Sequence, residues 1–172
     1  MMAIGWGALN QRLLLLALAV TLIGCGFHLR GGVALAPVLE KVYLQSDTPY
    51  SGISARLRNE LQASGADLVD APEQATAVLH VLGSRSLRRV LSVGQAGRAS
   101  EYELFEEVTF ALETPDGEVL LPPQALQLTR EMVFDETQLL GKVSEGEDIQ
   151  LQMQRRLARQ IITRITVGMS QQ

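Results

Sequence analysis

The sequence predicts an α+β fold: a two-layer sandwich with two helices on one face of a mostly antiparallel four-stranded sheet, in the order β-α-β-β-β-α. Three observations predict it. Hydrophobic and polar residues alternate over much of residues 77–134, as they do in half-buried strands. Two flanking segments carry hydrophobic residues at helical spacing instead. The chain has 172 residues, 47% hydrophobic and 20% charged, which suits one globular domain.

The first strand and the first helix have short but complete signals. Residues 41–45 alternate, with Val42 and Leu44 on the hydrophobic side. Ser51 occupies the N-cap position of the following helix, and Gly65 is placed to end that helix in a left-handed conformation. The hydrophobic stripe between them consists of Ile53, Leu57 and Leu61. Because this stripe is narrow, we expect the helix to cover a sheet with one face only.

Three strands follow, separated by turns. Residues 77–93 predict one long strand with a bulge near Gly83, and the segment 94–97 predicts a turn. The next strand has a hydrophobic face formed by Tyr102, Leu104, Val108, Phe110 and Leu112, and an acidic face formed by Glu101, Glu103, Glu107 and Glu113. Residues 114–117 fit a type I turn. The last strand spans 124–134, and Pro122-Pro123 predicts an irregular entry to it.

The final helix is predicted to begin at a capping box, in which Ser144 is followed three residues later by Glu147. Its hydrophobic stripe contains Ile149, Met153, Leu157, Ile161 and Ile165, widened by Ala158 and Ile162. Acids occupy the first turn and arginines lie further along, which matches the helix dipole. We interpret these charges as a solvated helix face.

The N-terminal segment predicts a lipoprotein signal peptide. The apolar run 13–23 has signal-peptide length and is too short to span a bilayer comfortably. Leu22 and Gly24, at −3 and −1 from Cys25, resemble the bacterial lipobox, in which the thiol is acylated and the chain is cut before it. The alternative is a buried core cysteine. We therefore expect a removed signal peptide at 1–24, a lipidated tether at 25–40, a folded domain at 41–167 and a short tail at 168–172.

Residues 25–31 (CGFHLRG) resemble the start of the mature LPS-assembly lipoprotein, the LptE family. Weaker similarity follows at 55–61, 97–102 and 139–142. The resemblance implies a lipid-anchored, Gram-negative outer-membrane protein that acts as a plug inside the LptD β-barrel and binds lipopolysaccharide (LPS). Gly26 agrees with this, since Asp at that position retains enteric-type lipoproteins at the inner membrane.

The residues do not predict an enzyme, a cofactor or a metal site. One Cys and two His are too few for a closed Cys/His zinc site, and neither His28 nor His80 lies in a nucleophile motif. The acids of the third strand could be read as paired carboxylates, but strict alternation favours the wet face of a sheet. The net charge of −4 argues against a nucleic-acid partner.

Binding of an anionic lipid needs local cations in an acidic protein. Arg98 follows a Gly-rich turn, and Lys142 is expected in the loop ahead of the last helix, so both are candidate LPS contacts, with an ordinary solvated base as the alternative. For the basic run at Arg85, Arg88 and Arg89 we expect cross-strand ion pairs with the glutamates opposite.

The function predicted from these residues and from the resemblance is that of an LptD-partnered outer-membrane lipoprotein in LPS export. The residues leave two alternative classes of protein. A solitary envelope lipoprotein could bind lipid or glycan without a barrel partner, and a periplasmic hydrolase would need a catalytic constellation that the residues do not form.

Overall fold

The computed structural model describes residues 35–94, 99–133 and 139–170, all within the compact unit Val33–Gln172. Five strands and two α-helices occur in these ranges: β1 (Lys41–Ser46), α1 (Gly52–Ala63), β2 (Asp67–Leu68), β3 (Ala77–Val93), β4 (Ala99–Glu113), β5 (Val119–Val133) and α2 (Leu139–Met169). Two short 3-10 helices precede β1 and β3, at Pro37–Leu39 and Pro72–Gln74. The predicted α+β class and the two helices are confirmed.

The sheet has five strands in the order β2-β1-β3-β4-β5 and is mixed. Strand β1 pairs in parallel with both β2 and β3, whereas β3, β4 and β5 pair antiparallel. The predicted four-stranded, mostly antiparallel sheet is therefore wrong in strand number and in the pairing of β1. Strand β2 has only two residues, too few to show alternation, and the helical crossover through α1 places it parallel to β1.

Helices α1 and α2 share one hydrophobic core with the sheet. Fully buried side chains come from every layer, including Leu39, Val42, Leu57, Leu79, Phe110, Leu157 and Ile161. Along α2, a Cβ at Gly146 would lie 3.5 Å from the Met132 side chain, and one at Gly168 would lie 3.4 Å from Leu121. Helix α2 therefore runs antiparallel to β5 over most of that strand. Neither helix in the described ranges is both long and apolar enough to cross a bilayer.

Helix α1 ends as the sequence predicts. Gly65 has a φ of +94°, its amide donates to the carbonyl of Gln62, and the amide of Ala66 donates to the carbonyl of Leu61. This is the Schellman pattern, and buried Ala66 and Leu61 complete it with the expected hydrophobic pair. Ser51 occupies the N-cap position, but its side chain makes no capping hydrogen bond.

Strand β4 and most of β5 alternate as predicted, β3 has the predicted bounds without regular alternation of burial, and β5 begins earlier than expected. The register between β3 and β4 shifts between Val81 and Gly83, which confirms the predicted bulge. Strand β5 starts at Val119 and continues through Pro122 and Pro123, opposite a second irregularity in β4. Prolines are tolerated there because β5 is an edge strand, where an amide facing away from the sheet needs no ladder partner.

The predicted start of the last helix is wrong. Helix α2 is already helical at Leu139, so Ser144 and Glu147 lie inside it rather than at its cap. A Ser followed by Glu three residues later satisfies the capping pattern, but the same residues are tolerated within a helix when they face solvent, as both do here. The buried stripe is confirmed at Met153, Leu157, Ile161 and Ile165, while Ile149 is only partly buried.

Candidate functional site

The outer face of the sheet is the face opposite the two helices. By register, this face carries Arg85 opposite Glu107, Leu87 opposite Phe105, and Arg89 opposite Glu103. On β5 it continues with Ala125, Gln127, Thr129, Glu131 and Val133, all exposed. Within the described residues neither helix packs on it. The face is therefore a broad surface of mixed charge with a narrow hydrophobic row at its centre.

The expected ion pairing of the basic run is realised by Arg89. Its Nη1 lies 3.6 Å from Oε1 of Glu103, and its guanidinium lies 5.6 Å from the centre of the Phe105 ring. Arg88 differs, because alternation places it on the helix side of the sheet, where it stacks on Tyr102 at 4.9 Å from the ring centre. A row of adjacent arginines in a strand therefore divides between the two faces.

Exposed aliphatic side chains lie at one end of this sheet, where β3 ends and β4 begins. Val90, Leu91 and Val93 of β3 and Val133 of β5 are each about half exposed or more, and Val93 and Val133 reach 64% and 65%. The C-terminal ends of β3 and β5 lie on either side of β4 at this point, since Glu101 of β4 pairs with Ser92 of β3 and with Val133 of β5. These exposed aliphatic residues make this end of the sheet a candidate contact surface.

A polar cluster that the sequence analysis missed lies on the helix side of the sheet. Glu106 is only 3% exposed, and Ser86 Oγ donates to its Oε1 at 2.6 Å. Gln154 Nε2 of α2 lies 3.4 Å from both carboxylate oxygens, and Gln150 Nε2 donates to Ser86 Oγ at 3.2 Å. The signal was available, because Glu106 has the same parity as Leu104 and Val108 and therefore faces the core.

Burial raises the pKa of the Glu106 carboxyl above its usual value, and the hydrogen bonds from Ser86 and Gln154 offset part of this increase. The cluster ties α2 to the two central long strands through polar contacts.

No group of three or more His, Cys, Asp or Glu side chains within the described ranges is arranged to hold a metal ion. His80 lies on the outer face with its Nε2 3.2 Å from Glu113 Oε2.

The predicted site residues have different outcomes. Cys25 and Arg98 lie outside the described residues, so the expectations for them stay predictions. Lys142 lies within the first turns of α2, not in a loop ahead of the helix, and that part of the prediction is wrong. The reason is the earlier start of α2, because the residues that the prediction assigned to a loop belong to the helix.

The fold is shared with bacterial lipoproteins of known structure. The NMR structure of lipoprotein B from Nitrosomonas europaea is similar with a TM-score of 0.71 at 29% identity, over 84% of this chain and 93% of that one. The crystal structure of the rare lipoprotein B from Shewanella oneidensis is similar with a TM-score of 0.60 at 27% identity, over 76% of this chain and 94% of that one. The class is therefore that of an α+β bacterial lipoprotein.

The family model for LptE, described as lipopolysaccharide-assembly, matches residues 39–165. The chain is 32% identical to the LPS-assembly lipoprotein LptE of Photorhabdus laumondii, over 87% of this chain and 84% of that protein. It is 30% identical to the protein of that name from Pectobacterium atrosepticum, over 92% and 87%. The chain belongs to the LptE family of LPS-assembly lipoproteins, which confirms the resemblance first seen at residues 25–31.

Proposed function

We propose that this lipoprotein is anchored in the outer membrane and acts with an LptD-type β-barrel, as its plug and as an LPS-binding subunit, in the assembly of LPS at the outer leaflet. Family membership supports a role in LPS assembly. The observation that carries the barrel partnership is the outer face of the sheet, a surface built from three strands of 15 to 17 residues that no described helix covers.

The chemistry of the outer face suits the lumen of a large barrel. Such lumens are polar, and their walls offer charged and hydrogen-bonding side chains. Because their side chains are polar, Glu107, Gln127 and Thr129 suit contact with such a surface better than contact with a lipid tail or with the core of another domain. The exposed Val93 and Val133 would add a smaller hydrophobic contact, of the kind found in the buried core of protein interfaces.

Photocrosslinking tests the barrel partnership. Crosslinkers placed at Glu107 on the outer face and at Val93 at the aliphatic end should capture a protein of barrel size, identified by mass spectrometry. The matched control is Asn59, which is exposed on α1 in the helix layer and should capture much less. Equal capture at all three positions, or capture at none, would count against the plug arrangement. Failure of the intact lipoprotein to co-purify with any barrel would favour a solitary envelope lipoprotein.

Arg98 and Lys142 stay the proposed LPS contacts. Replacing both with Glu should weaken LPS binding through charge repulsion, with little change in melting temperature. Glu at position 142 lies near the start of α2, where the helix dipole favours an acid, so the substitution should not unfold the helix. Arg56→Glu on α1 controls for net charge. An equal loss of binding in Arg56→Glu, or none in the double variant, would move the LPS contact elsewhere.

A further inference from the structure

We propose that the cleft between α2 and the free edge of β5 is an anion site that binds phosphate esters, and that its ligand is the phosphorylated sugar headgroup of a glycolipid. The cleft encloses a cavity of about 310 Å³. It is lined by Leu128, Thr129 and Arg130 of β5 and by Gln152, Met153, Arg155, Arg156 and Arg159 of α2. We call this cavity the arginine cleft.

Three of the four arginines in the arginine cleft are available to a ligand. Arg159 Nη1 already lies 3.2 Å from Glu60 Oε1 of α1. Arg130, Arg155 and Arg156 are exposed and make no ion pair or hydrogen bond with the described part of the chain. They approach from both walls, since Arg130 comes from the strand and the other two come from the helix. Two walls of guanidinium groups can enclose one anion.

The charge distribution concentrates cations in the arginine cleft. The chain has a net charge of −4, yet none of the described Asp and Glu residues lines the arginine cleft. Alternation directs Glu103, Glu107 and Glu131 to the outer face, away from it. Arg155 and Arg159 are four residues apart on one helix, a spacing at which like charges repel, and the ion pair of Arg159 with Glu60 offsets part of this repulsion. A bound anion would offset the charges of Arg130, Arg155 and Arg156 as well.

The shape and lining of the cleft favour a compact phosphate over an extended acidic peptide. Guanidinium groups bind phosphate oxygens through paired hydrogen bonds, and Gln152 adds a neutral donor. Buried Met153 and half-buried Leu128 form an apolar floor, which suits the carbon face of a sugar ring. A cavity of this volume holds a phosphorylated sugar, whereas a peptide strand would extend along β5 beyond it.

The existence of the anion site is independent of the proposed function, but its assignment to a glycolipid rests on the proposed role in LPS assembly. Two probes separate these claims. Inorganic pyrophosphate tests the anion site alone. Bisphosphorylated lipid A in nonionic detergent tests the glycolipid, with the same lipid after chemical removal of both phosphates as its control.

The experiment uses the full lipidated chain and two double variants. Arg155→Gln/Arg156→Gln removes two charges from the cleft, and Arg85→Gln/Arg89→Gln removes two from the outer face. Titration calorimetry should show at least about tenfold weaker binding of pyrophosphate and of bisphosphorylated lipid A for the cleft variant, with affinities near wild type for the control. Arg130→Gln, on the opposite wall, should weaken both probes as well. Because all these side chains are exposed, melting temperatures should stay within a few degrees of wild type.

Each outcome decides a claim. Unchanged pyrophosphate affinity in the cleft variant, or an equal loss in the outer-face variant, would overturn the anion site. Loss of pyrophosphate binding with lipid A binding unaffected would support the anion site and overturn the glycolipid assignment. Loss of barrel co-purification with phosphate binding intact would identify the cleft as a protein interface and overturn the proposal. If the cleft variant loses both probes but still co-purifies with the barrel, the site and the plug role are separate and both stand.

Discussion

At the residue scale, Glu106 shows how one buried side chain links the two layers. A carboxyl group in this position loses most of its hydration, and a charge without compensation there would be costly. Ser86 from β3 and Gln154 from α2 supply hydrogen bonds at 2.6 and 3.4 Å, so the group is partly compensated. The net effect of burial is still a raised pKa, so the folded protein holds the Glu106 proton more tightly than the unfolded chain does.

This raised pKa predicts how stability depends on pH. The folded state binds the Glu106 proton more tightly than the unfolded state does, so stability from this group is complete below the ordinary value of 4.5 and is lost as pH rises through the raised pKa. Glu106→Gln keeps an acceptor for Ser86 and cannot ionise. We expect it to match wild type at low pH and to become the more stable protein as pH rises.

Urea denaturation across a pH series measures this difference. Glu107→Gln removes the same charge from the other face of β4 and controls for the change in net charge. A constant difference in unfolding free energy between Glu106→Gln and wild type at every pH would contradict the assignment of the titration to Glu106.

At the element scale, the backbone conformation of Gly65 determines where α1 ends, and two prolines allow β5 to lie at the edge of the sheet. The chain leaves α1 through Gly65 in a left-handed conformation, which turns it directly into β2. Strand β5 carries two consecutive prolines that would remove ladder hydrogen bonds from a central strand. The prolines also make this edge of the sheet less able to pair with a strand of another chain.

Gly65→Ala should destabilise the protein by about 1–2 kcal/mol, the cost of a left-handed conformation for a residue with a Cβ. No atom lies within 4 Å of a Cβ built there, so the cost is a backbone effect and not a clash. Gly83→Ala is the matched control, since its Cβ also meets nothing within 4 Å and its φ is not positive.

Thermal and urea unfolding of both variants provide the measurement, and Gly83→Ala should stay within about 0.5 kcal/mol of wild type. Equal effects of the two substitutions would show that the conformation of Gly65 is not what ends α1.

At the scale of the whole molecule, the charges are sorted by surface. The acids of β4 and β5 lie mainly on the outer face, where Glu103 pairs with Arg89. Arg130, Arg155 and Arg156, which have no ion pair among the described residues, line the cleft between α2 and β5. The net charge of the chain is −4, but the arginine cleft is a cationic region. The proposed barrel contact and the proposed anion site would therefore use two different surfaces of the molecule.

The predicted anchor is also a property of the whole molecule. Cys25→Ala should prevent acylation and release the protein from the membrane fraction, because each buried acyl methylene contributes about 0.8 kcal/mol to membrane binding. Intact-mass measurement of the extracted wild type should give a chain that begins at Cys25 with added lipid mass. Recovery of the wild type without added lipid, or with residues before Cys25 retained, would contradict the prediction.

Local patterns were sufficient for much of the fold. Alternation located β3 and β4, the stripe of Ile53, Leu57 and Leu61 located α1, and Gly65 located its end, because each of these depends on neighbours within a few residues. The motif at 25–31 was sufficient for the family. The predicted start of α2 was wrong because a capping pattern is a local preference, and the same residues also occur inside a longer helix.

The sequence by itself determined the α+β class, the two helices, the long antiparallel strands and the family, because periodicity and motif spacing depend only on residues that are close together in the sequence. Only the tertiary structure decided the mixed pairing of β1, the burial of Glu106 between Ser86 and Gln154, and the arginine cleft. Each of these joins residues from elements that are distant in sequence. Arg130 and Arg156 become neighbours only when α2 packs antiparallel along β5, and no local pattern specifies that the two walls meet.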